Sequence, residues 1–257
     1  MIRTIAISNQ KGGVAKTTTC LSLGACLAEM GQSVLLIDLD PQANLTTSLG
    51  LRPDKLRRAV DDALLGNTSL VSVSRESPVF GLDIVPDTRM LIGLDKNLYG
   101  RPGYQFHLKK GVDAIGEGFY DFVLIDCPPS FGTLTLNALT AANMLIIPVQ
   151  CDFYSAHSLR HFLKLVQQVR EKTNPWLAYR VLATMYDRRN KICQVIRDQM
   201  QRGLDGVLFN TTIEVDTKLR ESPAFGKPIT LYAPRTRGTQ QYRALAKELM
   251  DYDRQRP

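Results

Sequence analysis

The sequence of 257 residues predicts an α/β fold, with a doubly wound, mostly parallel sheet that carries helices on both faces. Short apolar runs alternate with helical segments along nearly the whole chain, an order typical of strand–helix–strand units. The runs are continuously apolar, which indicates parallel strands that are buried on both faces. No linker, repeat or low-complexity block divides the chain, so we expect one domain over residues 1–257.

Seven apolar runs are predicted as strands, and six longer segments with helical periodicity are predicted as helices. The predicted strands are Ile2–Ser8, Val34–Asp38, Leu82–Val85, Phe122–Asp126, Met144–Val149, Val181–Met185 and Val207–Phe209. The predicted helices are Thr17–Met30, Phe106–Ile115, Thr133–Ala142, Ser155–Lys172, Lys191–Arg202 and Gly238–Tyr252. Residues 44–80 have the least clear pattern. Ligands of such sheets bind at the carboxyl ends of the strands, so functional residues are expected there.

The composition limits the possible environments and partners. The net charge is +7, and residues 218–257 contain nine Lys and Arg against four Asp and Glu. This excess fits a polyanionic partner, since net charge concerns association and not fold. Five cysteines without a C-x-x-C pair favour a reducing compartment over a disulfide framework. No apolar run approaches the roughly 20 residues of a membrane span, so we expect a soluble, cytoplasmic protein.

The segment NQKGGVAKTTT, Asn9–Thr19, follows the first predicted strand and opens the first predicted helix. Such a turn directs backbone N–H groups at anionic oxygens, and the helix N-terminus adds about half a positive charge. This arrangement is typical of a P-loop NTPase, in which Lys16 would contact the β- and γ-phosphates and Thr17 would ligate Mg²⁺. The predicted nucleotide contacts here are Lys11, Gly12, Gly13, Val14, Ala15, Lys16, Thr17 and Thr18.

Three aspartates end predicted strands that should converge on this loop. Asp38 and Asp40 end one strand, and Asp126 ends another after four apolar residues, as in a Walker B element. Mg²⁺ requires oxygen ligands and keeps several waters, so Asp126 would act directly or through a bound water. The predicted magnesium set is Thr17, Asp40 and Asp126.

The loop departs from the general Walker A pattern, because Gln10 and Ala15 occupy the two glycine positions and Lys11 precedes the glycines. The resulting K-G-G-x-x-K-[ST] pattern resembles the deviant phosphate loop of the ParA/MinD family of ATPases. Other segments resemble ParA- and Soj-type partition ATPases over nearly the full length. They are Asp38–Leu51, Ile125–Ser130, Ile147–Asp152, Thr184–Arg189 and Phe225–Gly238.

This resemblance implies residue roles that spacing alone does not assign. The family lysine that matches Lys11 reaches the partner's ATP across a dimer interface, and the aspartate that matches Asp40 orients the attacking water. Asp38 would then line the outer shell of the metal. Met185 and Asn210 are implied as further nucleotide contacts. The implied catalytic residues are Lys11, Lys16, Asp40 and Asp126.

The resemblance also implies partners and a location. ATP and Mg²⁺ would be the cofactors, the ATP-bound form would be a homodimer, and a ParB-like protein would stimulate hydrolysis. The dimer would bind double-stranded DNA without sequence preference, through scattered cations that neutralise phosphates. The cargo would be a plasmid, a chromosome or another large assembly, and the protein would associate with the nucleoid. The implied DNA contacts are Arg188, Arg189, Lys218 and Arg220.

Four positions depart from the family pattern. Ala15 replaces a glycine, and a Cβ at a positive φ would strain the loop by roughly 1 kcal/mol. Asp152 replaces a glutamate. Glu214 and Val215 replace a proline and an arginine, which leaves the nucleotide-base contacts of residues 209–213 open.

Three other classes of protein compete with this interpretation. A MinD-like membrane ATPase would need a basic amphipathic anchor, whereas the C-terminal segment has one modest apolar stripe, Tyr242, Leu245 and Leu249, interrupted by acids. An iron–sulfur reductase would need a cluster-binding loop, whereas Cys127 is followed by two prolines. A non-catalytic binding module is hard to reconcile with the complete set of loop lysines and strand-end aspartates.

Overall fold

The computed structural model describes residues 2–152, 155–204 and 206–254, and within these ranges the side chains of residues 95–97, 155–157, 253 and 254 are not described. Strands and helices alternate along the described chain. The strands are β1 (Arg3–Ile7), β2 (Val34–Asp38), β3 (Arg75–Glu76), β4 (Leu82–Val85), β5 (Phe122–Asp126), β6 (Met144–Gln150), β7 (Ala178–Tyr186) and β8 (Leu208–Glu214).

The helices vary widely in length. They are α1 (Lys16–Glu29), α2 (Asn44–Ser48), α3 (Val60–Leu64), α4 (Leu70–Val73), α5 (Leu91–Leu98), α6 (His107–Asp113), α7 (Thr133–Ala141), α8 (Ser155–Lys172), α9 (Lys191–Gly203), α10 (Thr217–Glu221), α11 (Ile229–Tyr232) and α12 (Arg237–Arg254). Short 3₁₀ turns occupy Pro53–Lys55, Tyr104–Phe106 and Ser222–Phe225. Among the described helices, none is both long and apolar enough to cross a bilayer.

Within the described ranges, the eight strands form one sheet in the order β3-β4-β2-β5-β1-β6-β7-β8. The β3–β4 pair is antiparallel and every other neighbouring pair is parallel. The register pairs Ile7 with Asp126 and Asp38 with Asp126. The carboxyl ends of β1, β2 and β5 therefore lie level at one edge of the sheet, where ligands of doubly wound folds bind.

Helices cover both faces of this sheet, as the continuous apolar runs predict. On β2, Leu35 and Ile37 belong to a buried cluster that includes residues of α7 and α8. Val34 and Leu36, which point to the other face, belong to a second cluster that includes residues of α1 and α12. The predicted doubly wound fold is confirmed.

The predicted strands and helices are all present, with differences at some ends. β8 runs to Glu214 because pairing with β7 continues through the polar residues 210–212, which end the apolar run in the sequence. β7 begins at Ala178 and ends at Tyr186 for a similar reason. The sequence did not predict β3, α2 to α5, α10 or α11, most of which have five residues or fewer.

Gly24 allows α1 to lie close to the sheet and so fixes the position of the loop at its N-terminus. A Cβ on Gly24 would lie 2.7 Å from Leu36 Cδ2, 3.3 Å from Leu82 Cδ1 and 3.4 Å from Leu124 Cδ1. The Leu36 methyl group would have to move, and Leu36 is fully buried within the sheet. The glycine is therefore a packing requirement of the helix–sheet interface.

We expect Gly24→Ala to lower the free energy of unfolding by about 1–2 kcal/mol, because overpacking outweighs the higher helix propensity of alanine. Thermal and urea unfolding measure the change. Gly93→Ala in α5 is the matched control, because nothing lies within 4 Å of its Cβ position. It should leave stability unchanged or raise it by up to about 1 kcal/mol. Equal stability of the two variants would contradict this account of the α1 interface.

Candidate active site

The loop between β1 and α1 has the backbone turn that a phosphate loop requires. Gly13 adopts a φ of 73°, and a Cβ added to Gly12 or Gly13 would meet nothing within 4 Å. Ala15, the residue before α1, has φ 69° and ψ 33°, in the left-handed region. The alanine therefore stands at a position that favours glycine, and it strains the loop by roughly 1 kcal/mol.

Hydrogen bonds to β6 and β7 hold this loop in place. Asn9 accepts a hydrogen bond from the Lys11 N–H at 3.0 Å and donates one to the Pro148 carbonyl at 2.7 Å. The Thr184 hydroxyl donates to the Val14 carbonyl at 3.2 Å. Pro148 lies on β6 and Thr184 on β7, so both strands support the loop.

Lys16 is the first residue of α1, and its side chain bends back over the loop. Its Nζ donates to the Lys11 carbonyl at 3.3 Å, and the residue is buried. Burial lowers the pKa of Lys16, while the nearby carboxyl groups of Asp126 and Asp40 oppose that shift. A partly desolvated ammonium beside open glycine backbone is a suitable partner for phosphate oxygens.

Thr17 and Asp126 form the contact that best fits a magnesium ion. The Thr17 hydroxyl donates to Asp126 Oδ2 at 2.6 Å. Asp126 is fully buried, and its Oδ1 has no hydrogen-bond partner among the described residues. Burial, followed by repulsion from Asp38, raises the pKa of Asp126 well above its ordinary value. A cation would relieve this buried carboxyl, and hydroxyl and carboxylate oxygens are ligands that Mg²⁺ prefers.

Asp38 and Asp40 have different environments although they are two residues apart. Asp38 is fully buried and accepts hydrogen bonds from the Thr46 N–H at 2.8 Å and the Thr46 hydroxyl at 2.7 Å. Burial raises the pKa of Asp38 to about 6. Asp40 is also buried, and its Oδ1 accepts from the Gln42 N–H at 3.0 Å. Asp38 therefore docks α2 onto the sheet, while Asp40 belongs to the loop that joins β2 to α2.

The sequence analysis missed Asp87, which follows β4 at the same edge of the sheet. Its N–H donates to the Thr46 hydroxyl at 3.0 Å, so one threonine joins Asp87 to Asp38. Its carboxyl is fully buried, and neither oxygen has a hydrogen-bond partner among the described residues. Burial, together with the charge of Asp38, raises the pKa of Asp87 to about 7. The rule that functional residues follow parallel strands would have identified it.

Lys11 lies against an acid of its own chain. Its Nζ forms an ion pair with Asp152, which follows β6. Both side chains are about 30% exposed. In the single chain, the Lys11 side chain therefore points along the carboxyl edge of the sheet towards the end of β6.

The two further predicted nucleotide contacts lie in different places. Met185 follows Thr184 and has a φ of 50°, so it belongs to the strained backbone beside the loop. Asn210 lies before the carboxyl end of β8, and its N–H donates to Glu248 at 2.7 Å. It lines a cavity with Arg180, Lys247 and Tyr252 that contains no residue of the phosphate loop. Met185 therefore lies beside the phosphate loop and Asn210 lies in a separate cavity, and their roles as nucleotide contacts stay predictions.

Most of the predicted DNA-contact residues are already paired with acids. Arg188 binds Glu214 at 2.7 Å and Arg189 binds Asp187 at 3.0 Å. Lys218 binds Glu221 at 2.7 Å and lies 5.8 Å from the ring centroid of Tyr232. Arg220 is exposed and has no ion pair within the described ranges. These cations occupy the β7–α9 loop and α10, at the carboxyl side of β7 and β8.

Two observations limit other interpretations of the site. In the described part of the chain, no three His, Cys, Asp or Glu side chains form a metal-binding group, so a metal here would depend on Thr17, Asp126 and ligand oxygens.

The apolar stripe of α12, Tyr242, Leu245 and Leu249, is fully buried. That stripe packs in the core and is not available to a membrane surface.

Comparison with known proteins places this arrangement in a family. The family model for an AAA domain matches residues 2–179. The sporulation initiation inhibitor protein Soj of Bacillus subtilis is 40% identical over 250 residues, which cover 97% of this chain and 98% of that protein. The chromosome partitioning protein ParA of Caulobacter vibrioides is 38% identical over 257 residues, covering 99% and 96%.

A solved structure extends the comparison to bound ligands. Cobyrinic acid a,c-diamide synthase from Mycobacterium smegmatis, solved with an ATP analogue and magnesium, superposes with a TM-score of 0.87 and 35% identity. The match covers 99% of this chain and 97% of that one.

We expect Asp87→Asn to stabilise the protein above neutral pH. Folding raises the pKa of the Asp87 carboxyl group, so the unfolded chain releases the carboxyl proton at a lower pH than the folded chain does. The free energy of unfolding therefore falls as pH rises from about 4 to about 7. The amide removes this loss. In nucleotide-free, magnesium-free buffer, urea unfolding should show a gain on the order of 2 kcal/mol at pH 8 and little change at pH 4.

Asp198→Asn serves as the control for this measurement, because Asp198 is exposed on α9. It should change stability little at either pH. A loss of stability in Asp87→Asn at pH 8 would show that the Asp87 carboxylate is stabilised in the folded protein, contrary to this account.

Proposed function

We propose that this chain, which belongs to the Soj/ParA family of AAA-domain proteins, is a cytoplasmic ATPase that partitions DNA or another large cargo. The contact that carries the proposal is the Thr17–Asp126 hydrogen bond. The second, buried Asp126 oxygen has no hydrogen-bond partner among the residues that the structure describes, and Lys16 lies nearby. This set fits the magnesium salt of a nucleoside triphosphate. The ATP analogue bound to the similar cobyrinic acid a,c-diamide synthase supports ATP as that nucleotide.

The residues of this chain would divide the work of phosphoryl transfer to water. The loop N–H groups and Lys16 would bind the phosphates and stabilise negative charge in the transition state. Thr17 and Asp126 would hold Mg²⁺, which when bound neutralises charge on the phosphate oxygens. Asp40 would position the attacking water, and Asp38 would keep the β2–α2 loop fixed through Thr46.

Lys11 would connect nucleotide binding to assembly. In the single chain its ammonium is paired with Asp152. In the proposed homodimer it would leave that acid and contact the triphosphate held by the partner subunit. Because a second chain then completes each nucleotide site, dimerisation would require ATP.

The ATP-bound dimer would bind double-stranded DNA without sequence preference and associate with the nucleoid. The contacts to phosphates would come from Arg188, Arg189, Lys218 and Arg220. Affinity for DNA would fall as the salt concentration rises, because the counterions released from DNA then gain less entropy. A ParB-like partner would stimulate hydrolysis and release the dimer from DNA. A MinD-like attachment to membranes is disfavoured, because the apolar stripe of α12 is buried.

Gel filtration with ATP, ADP or no nucleotide tests the nucleotide part of the proposal. We expect a dimer with ATP, and none with ADP or without nucleotide. Lys16→Ala should prevent ATP binding and dimerisation, because it removes the cation that would bind the β- and γ-phosphates. Asp40→Ala should still dimerise with ATP but hydrolyse it at least about 100-fold more slowly, since the attacking water is no longer positioned.

Asp54→Ala is the control for these variants, because Asp54 is an exposed residue paired with Arg52 on the surface. It should dimerise and hydrolyse ATP like the parent. Hydrolysis by Asp40→Ala at the parental rate would overturn the role given to Asp40, and an ATP-independent oligomer would overturn the assembly mechanism.

A double charge reversal tests the DNA-binding surface. We expect Lys218→Glu with Arg220→Glu to weaken plasmid DNA binding strongly and to reduce the slope of log K against log salt by about 2, because two phosphate contacts are lost. ATP-dependent dimerisation should persist. Lys109→Glu with Lys110→Glu on α6 makes the same charge change elsewhere and should reduce the slope by much less. An equal effect of both double variants would mean that only net charge matters.

A further inference from the structure

Glu214, at the end of β8, is a buried carboxylate that holds two arginines from different parts of the chain. Its side chain is 5% exposed. Two nitrogens of Arg188 contact Glu214 Oε1, Nε at 2.9 Å and a terminal guanidinium nitrogen at 2.7 Å. The same oxygen accepts a hydrogen bond from Gln241 Nε2 at 2.9 Å. Oε2 lies 3.0 Å from a guanidinium nitrogen of Arg237. The Glu214 N–H also donates to Gln241 Oε1 at 2.9 Å.

The two arginines that Glu214 holds are otherwise open to solvent. The side chain of Arg188, in the loop after β7, is 71% exposed, and that of Arg237, the first residue of α12, is 53% exposed. Arg237 also donates to the Val215 carbonyl at 3.0 Å. The guanidinium groups therefore face outward, while the acid that neutralises them lies beneath the surface.

This geometry differs from that of the other acids near the predicted DNA contacts. The acids that pair with Arg189 and Lys218, Asp187 and Glu221, are 31% and 41% exposed, so water screens those pairs. Glu214 is shielded from water and makes charge-assisted bonds to both arginines at once. It is also the position at which a charged residue replaces the proline of the family pattern.

We propose that Glu214 is an internal competitor for phosphate, which restrains the nucleic-acid affinity of the surface formed by Arg188 and Arg237. This inference rests on the proposed DNA-binding function and assigns Arg237 to that surface. A DNA phosphate that approaches either arginine must share it with a carboxylate that is already desolvated and in contact. Because Glu214 already neutralises these arginines, their contacts with phosphates release fewer counterions, and DNA binding is weaker than two unpaired arginines would give.

Glu214→Gln, measured with ATP and a plasmid-derived duplex over a series of salt concentrations, tests the proposal. The amide keeps the shape of the side chain but removes the charge that holds both guanidinium groups. We expect binding roughly tenfold tighter and a slope of log K against log salt steeper by about 1 to 2, since each freed cation adds about 0.9.

Glu29→Gln is the matched control, because it makes the same charge change in another arginine–carboxylate pair. Glu29 binds Arg243 at 2.8 and 3.0 Å and lies at the end of α1, on the opposite edge of the sheet from the loop. It should alter the slope by much less than Glu214→Gln does. An unchanged affinity and slope in Glu214→Gln, with a parent that binds DNA, overturns this inference alone.

Two further measurements keep the test decisive. Arg188→Gln should cost less DNA affinity in the parent than in the Glu214→Gln background, and equal costs overturn the inference. If Glu214→Gln does not fold, Arg188→Gln is compared with Arg220→Gln in the parent chain. The unpaired Arg220 should then matter several-fold more, and an equal or larger loss at Arg188 overturns the inference. Absence of DNA binding in both the parent and Glu214→Gln overturns the proposed DNA function as well.

Discussion

Burial of carboxyl groups at one edge of the sheet is the constraint on which the rest of the site depends. Asp38 and Asp126 lie level on neighbouring strands, and Asp87 follows the next strand outward. Burial raises the pKa of all three, so each favours a proton, a hydrogen-bond donor or a cation. The hydroxyls of Thr17 and Thr46 meet part of this requirement. The other oxygen of Asp126 has no hydrogen-bond partner in the described part of the chain, which makes a bound cation favourable there.

The same edge carries local backbone strain. In the described ranges, the non-glycine residues with positive φ are Ala15, Ala43, Arg89 and Met185. The first three lie in the loops after β1, β2 and β4, and Met185 lies near the end of β7, so all four are at the carboxyl edge. Each costs on the order of 1 kcal/mol, and the rigid parallel sheet beneath the loops keeps them in place. The strain therefore lies in the loops, and at the end of β7, where they would surround a nucleotide.

Much of this arrangement follows from local sequence, and the rest depends on tertiary contacts. The central strands were predicted because both of their faces are buried, and the loop was predicted because its glycines and lysines lie between a strand and a helix. β8 was predicted too short because its polar residues 210–212 are held by pairing with β7. No local pattern indicates that Lys11 pairs with Asp152, because these residues are far apart in the chain.

The pairing of functional cations with internal acids determines how the molecule would respond to phosphates. Lys11 and Arg188 each contact an acid of their own chain. The free energy gained on binding an external phosphate is then the difference between the new and the old ion pair, which is smaller than the energy of the new pair alone. The penalty depends on how deeply the acid is buried, so it is larger at Glu214, which is 5% exposed, than at Asp152, which is 30% exposed. Lys11 would consequently exchange its partner readily when a triphosphate is presented, whereas Arg188 would do so only where several neighbouring phosphates are engaged together.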